Sequence, residues 1–202
     1  ELPDMPFTGI EFGHKILAEN DLEEVEIESV LAGDHYDPQE KKVRIVKDRL
    51  DRKSISSIAI VCHEIGHAIQ DKENYRPLAW RQNLVKKTQT FQKIGSAVLV
   101  IGLPSVFYIT NSPALTLIAA FLALGCLATN TLIHLVTLPV EFDASFKRAL
   151  PILEKYVPKE NLPKCRSVLR AAALTYVAAS IMSIFRLRTI FSIFITLFRA
   201  VV

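Results

Sequence analysis

The chain of 202 residues is long enough for one cored domain, or for a small catalytic unit plus membrane helices, and it carries no internal repeat. Its net charge of +3 comes from 24 basic and 21 acidic residues that are intermixed or flank apolar segments, which argues for membrane flanking and against a nucleic-acid surface. The three cysteines, Cys62, Cys126 and Cys165, form no metal-type pair by spacing, and their odd number excludes a fully paired disulfide framework and favours reduced thiols.

Thr8 and Glu11 form a T-x-x-E capping box, and Ile10, Phe12, Ile16 and Leu17 follow at helical spacing, which predicts a first helix to about Glu19. Glu24 to Val30 alternates acid and aliphatic, the period-2 pattern of a half-buried strand, and Lys42 to Val46 alternates again. Asp34, Asp37 and Pro38 supply turn chemistry between them, so a hairpin or small sheet is expected, with Lys42 to Val46 a candidate edge for an extended substrate. From Ser54, a plausible N-cap, Ile55, Ile58, Val61, Ile65 and Ile69 mark the apolar stripe of a helix. Asp71 to Lys93 then holds six bases against two acids and borders an apolar region.

From Ile94 to Val140 the only ionisable candidate near neutral pH is His134, and the stretch exceeds twice the ~20 residues that one transmembrane helix needs. Thr110-Asn111-Ser112-Pro113 divides it, which predicts a helical hairpin; the basic flanks on both sides place its ends in the cytoplasm and its short loop outside. Gly102 and Pro104 are tolerated inside a membrane helix. Beyond a charged segment to Arg170, Ala171 to Phe185 is apolar, Arg186 and Arg188 interrupt, and Thr189 to Phe198 is apolar again, which predicts a third membrane helix of undefined depth.

His63-Glu64-Ile65-Gly66-His67 is H-E-x-x-H. On a helix its i, i+4 spacing puts both imidazoles on one face, where they can share one Zn²⁺, while Glu64 stands beside the metal as a base for the attacking water. Chance also generates this motif, but here polar His-Glu-His interrupts an apolar helix, and buried ionisable groups need partners. A catalytic zinc site takes three protein ligands, and the candidates for the third are His14, His35, His134 and a carboxylate returning to the site. Topology favours Glu141, the first charged residue after the hairpin re-enters the cytoplasm; His134, seven residues earlier, is its main rival.

The stretches T-G-I-E-F-G-H-K-I-L, D-H-Y-D-P, S-I-S-S-I-A-I-V-C-H-E-I-G-H-A-I-Q, L-P-V-E-F-D-A-S-F-K-R-A-L and R-A-A-A-L-T-Y-V-A-A follow in that order between about residues 8 and 180. In them the chain resembles the YugP-like zinc metallopeptidases of bacterial membranes. A looser resemblance runs to the integral-membrane gluzincins, in which a Glu in an E-x-x-x-D segment completes the metal site; this implies Glu141, with Ser145 where that pattern has Asp, and leaves Asp143 or Ser145 to orient a histidine. The resemblance further implies peptidase activity, Zn²⁺, and one more hydrophobic helix before the catalytic region, so the chain, which starts at Glu1, is expected to be trimmed at its N-terminus.

His35 and Tyr36 can line the cleft as hydrogen-bond donors or lie in a plain turn, His134 can contact substrate or bond a neighbouring helix, and Tyr176 can reach the site or anchor packing. Cys62 is expected in the core. The resulting expectation is a mainly α membrane protein with a small α+β, zincin-like (gluzincin) catalytic unit on the cytoplasmic side of a bacterial inner or plasma membrane. Residues 1–93 hold the H-E-x-x-H helix, 94–140 the transmembrane hairpin, 141–168 a cytoplasmic helix with the third ligand, and 169–202 a last membrane helix. Its partners would be the lipid bilayer and a peptide or membrane-protein substrate, with homo-oligomers or other membrane partners open and nucleic acid excluded. The competing expectation is a non-hydrolytic scaffold whose zinc is structural or absent.

Overall fold

The computed structural model describes the backbone of residues 6–201; the side chains of residues 127, 130, 176, 187, 193, 194 and 197–201 fall outside the description. The chain divides into two compact units, one made of the described residues up to Ala79 with Leu138–Thr175, the other of Trp80–Thr137 with the described residues from Tyr176 on.

In the first unit, helix α1 (Gly9–Glu19) starts at the expected capping box, in which Thr8 N–H donates to Glu11 Oε2 at 2.8 Å and Glu11 N–H to Thr8 Oγ1 at 3.3 Å. Its buried face carries Phe12, Ile16 and Leu17. Strands β1 (Glu26–Val30), β2 (His35–Asp37) and β3 (Lys42–Val46) form a sheet of order β1-β3-β2, with β1 parallel and β2 antiparallel to β3. Of the expected hairpin or small sheet, it is a small sheet that forms, through a crossover in which the turn segment itself supplies the third strand. Gly33, with φ +81°, reverses the chain, and Asp34 Oδ1 accepts from Val46 N–H at 2.8 Å. Asp37 Oδ1 then accepts from Gln39 and Glu40 N–H at 2.9 and 3.2 Å, closing the turn into β3. Because β3 is paired on both sides, it offers no edge; the free edges belong to β1 and β2.

Helix α2 (Lys47–Asp51) leads to α3 (Ile55–Lys72), capped by Ser54, whose Oγ accepts from Ser57 N–H at 3.1 Å. α3 is the axis of this unit, buried along nearly all of its length. Phe12, Ile16, Val43 and Ile45 close on it from α1 and β3, and Leu153, Cys165 and Leu169 from the C-terminal segment, in one continuous core. Each such aliphatic or aromatic side chain contributes about 1.5–3 kcal/mol on burial. The C-terminal segment begins at the last turns of α6 (Pro113–Phe142), passes through a π-helical stretch, Asp143–Ala149, and continues as α7 (Leu150–Tyr156) and the first turns of α8 (Leu162–Val201). Glu141 therefore ends the second hairpin helix, where a separate helix over 141–168 was expected. No boundary forms because Pro139 and the π turns are absorbed without breaking the rod.

The second unit contains most of α4 (Arg76–Ala97), a π turn at Val98–Gly102, α5 (Leu103–Thr110), and the apolar lengths of α6 and α8. The hairpin break falls where the sequence puts it, at left-handed Asn111, φ 46°. The π turn, in which Leu103 N–H donates to Val98 O, immediately precedes Pro104, which has no N–H to give. A Cβ on Gly95 would lie 2.5 Å from that of Cys126, so α4 and α6 approach closely there, and Thr131 and Ser183 hydroxyls bond at 2.7 Å between α6 and α8. Among the described residues three helical spans are long and apolar enough to cross a membrane, Arg76–Thr110, Pro113–Tyr156 and Lys159–Ser192. The third continues without interruption through Arg186 and Arg188.

Candidate metal centre

On α3, His63 and His67 stand one turn apart with ring centroids 4.9 Å from each other. Glu141 meets them from α6. Its Oε2 lies 3.2 Å from His63 Nε2 and 3.4 Å from His67 Nε2, and the ligand atoms of the three residues all fall within 4.8 Å of one another. All three are buried, at 5, 6 and 1% exposure. The meeting depends on Gly66, because a Cβ there would lie 2.8 Å from the carbonyl oxygen of Ala144, so only glycine lets α3 touch the backbone that follows Glu141.

The outer ring nitrogens determine what the inner ones present. Ser145 Oγ donates to Leu169 O at 3.3 Å, so it accepts from His63 Nδ1–H at 3.0 Å. Gln70 Nε2 donates to Val140 O at 2.9 Å, which turns its Oε1 to accept from His67 Nδ1–H at 3.0 Å. Both imidazoles therefore hold a proton on Nδ1 and turn Nε2 toward the same Glu141 oxygen. A buried carboxylate oxygen facing two ring nitrogens calls for positive charge between them, as protons or as a metal ion. Two imidazoles and a carboxylate are the donor set of a zinc site with a remaining open position, so the residues fit that metal.

Glu64, 7% exposed, follows the first ligand directly. Burial pushes its carboxyl up, and the His63 ring draws it back. Glu141 raises it again, while His35 and the Tyr36 backbone N–H, both on β2, favour the charged form. The structure thus brings β2 over Glu64. His35 is exposed, with Nδ1 3.0 Å from Gly33 O. The Tyr36 hydroxyl donates to Asp71 Oδ2 at 2.9 Å, where Lys41 Nζ also binds at 2.6 Å, so this phenol pins β2 to α3 and has no proton left for a substrate.

Asp143 is buried in a pair with Arg148, Nε to Oδ2 at 3.3 Å, and Ser145 orients His63 in its place. His134 lies two turns before Glu141 on α6, in the second unit, and His14 is on the exposed face of α1; neither is in the ligand cluster. The Tyr176 side chain is outside the described residues. Cys62 is in the core, its Sγ 3.5 Å from Ala149 O. Gln70 escaped sequence reasoning, although a lone amide three residues after His67, on the buried face of an apolar helix, is the signal that marks it.

Residues 2–195 match the model of a family described as "Putative neutral zinc metallopeptidase". The chain is also 34% identical over 191 residues to the "Putative membrane protease YugP" of Bacillus subtilis (strain 168), covering 93% of this chain and 81% of that protein. No solved structure matches the chain. With a buried His-His-Glu cluster, three apolar spans and a family match over nearly its full length, the chain belongs to the neutral zinc metallopeptidase family and has the membrane character of its relative.

Proposed function

We propose that this protein is a membrane-embedded zinc peptidase of gluzincin type in which His63, His67 and Glu141 hold the metal and Glu64 is the general base. The observation that carries this reading is the convergence of two histidine Nε2 atoms and one Glu141 oxygen beside a buried carboxylate. Zinc, when bound there, supplies Lewis acidity that activates water and polarises a carbonyl.

The chain's own residues do the rest. Glu64 removes a proton from the attacking water as its oxygen bonds to the amide carbon, then delivers that proton to the nitrogen as the C–N bond breaks. β2 is an edge strand whose backbone lies near Glu64, which supports docking of an extended peptide on it with exposed His35 as a contact. The basic residues between Arg76 and Lys93, in the N-terminal half of the first helical span, favour a cytoplasmic catalytic unit acting on peptides or on membrane-protein segments, with the bilayer as its other partner.

A structural zinc would be closed by four protein ligands, whereas the cluster gathered among the described residues offers three, which favours catalysis over a scaffold. The test is cleavage of a peptide library by the detergent-purified full chain beside Glu64→Gln. Hydrolysis by the wild type and none by the variant, at equal zinc content, is expected; equal hydrolysis by both would overturn the assignment of the base.

A further inference from the structure

We propose that Gln70 is a positioning residue that couples the two halves of the metal site, holding His67 through its side-chain oxygen and the Glu141 helix through its side-chain nitrogen. This rests on the zinc reading above and deepens it.

The two ligand-bearing elements are far apart in sequence, and apolar packing alone sets their register loosely. Gln70 is fully buried, at 0% exposure, and spends its amide on both elements at once. Its Nε2 lies 2.9 Å from the carbonyl oxygen of Val140, the residue before Glu141, and its Oε1 lies 3.0 Å from His67 Nδ1. The orientation is forced by chemistry. A backbone carbonyl can only accept, so the amide nitrogen must face Val140 and the oxygen must face the ring. A flipped amide would place two acceptors together and leave two buried donors unpaired, at a cost of about 1–3 kcal/mol each.

The amide therefore does two things that no single-ended partner does. It keeps the His67 proton on Nδ1, leaving Nε2 for the metal, and it ties that ring through one side chain to the backbone that delivers Glu141. Close approach of the backbones at Gly66 and Ala144 brings Val140 within reach. Ser145 serves His63 from the other element, through its bond to Leu169 O. Each histidine is thus oriented by a polar group that is itself anchored to a carbonyl.

Gln70→Glu separates the two functions. It keeps an acceptor for His67 Nδ1–H but turns an oxygen toward Val140 O, whereas Gln70→Leu removes both contacts without adding charge. In the full chain in detergent, zinc affinity is measured by competition with a chromophoric chelator. The visible spectrum of the cobalt-substituted protein is recorded alongside, and the metal-free form is checked by circular dichroism. Both variants are expected to bind zinc about 10–100-fold more weakly than wild type and to shift the cobalt bands, with metal-free helicity unchanged.

Wild-type affinity in Gln70→Glu would overturn the coupling, since the bond to His67 alone would then suffice. A wild type that binds no zinc would instead overturn the peptidase reading, so the two failures are distinguishable. If neither variant folds, imidazole nitrogen shifts of the zinc-loaded wild type decide. A protonated His67 Nδ1 with a cross-peak to the Gln70 amide supports the proposal, and a protonated Nε2 overturns it.

Discussion

Gly66→Ala perturbs the site without touching any ligand. The added Cβ would stand 2.8 Å from Ala144 O, 3.3 Å from its carbonyl carbon and 3.4 Å from its Cα, all backbone atoms that cannot rotate aside. Restoring ordinary contact requires the segment after Glu141 to retreat by roughly half an ångström, while ligand distances tolerate only about 0.2 Å. Overpacking costs about 1–3 kcal/mol, and the better helix propensity of alanine returns about 1 kcal/mol, so the net destabilisation is about 0–2 kcal/mol. The metal should suffer more. Displacing one of three ligands is expected to weaken zinc at least ~10-fold, about 1.4 kcal/mol, in a protein that still folds. Chelator competition paired with a thermal melt of the metal-free form reads both quantities. Zinc affinity equal to wild type in Gly66→Ala would refute the claim that this close approach positions Glu141.

Two further outcomes follow from single contacts. Ser145→Ala removes the acceptor for His63 Nδ1–H and is expected to weaken zinc about 10-fold or more, measured by the same competition; Ser145→Asn, which keeps an acceptor, should restore part of it. Tyr36→Phe deletes the bond to Asp71, which Lys41 continues to occupy, so unfolding should be easier by only about 1 kcal/mol while KM for a peptide substrate rises as β2 loosens over Glu64; zinc affinity should not move.

Much of the metal cluster was legible in the sequence because its geometry is local or topological. The i, i+4 histidines need only a helix, and the stripe from Ile55 to Ile69 supplied one. Glu141 followed from the hairpin, whose break at Asn111 is marked by turn residues. Pairing was not legible. Period-2 alternation reports that a segment is extended but not which strand lies beside it, so the parallel match of β1 with β3 and the central place of β3 stayed hidden. β2 was hidden for a different reason, being three residues set among turn formers, with tertiary contact to α3 overriding local preference. The helix bearing Glu141 was divided at Val140 because the first charge after a long uncharged run resembles a boundary, whereas α6 continues to Phe142. Asp143 and Ser145 could not be separated until the π-helical stretch showed which of them faces His63.

The central claim is that His63, His67 and Glu141 form one catalytic metal site, and zinc content tests it most directly. Metal analysis of the detergent-purified full chain beside Glu141→Ala is predicted to give about one zinc per folded wild-type chain and a sharp loss in the variant. Folded wild-type protein without zinc after exposure to it, or a variant that keeps its zinc undiminished, would contradict the account.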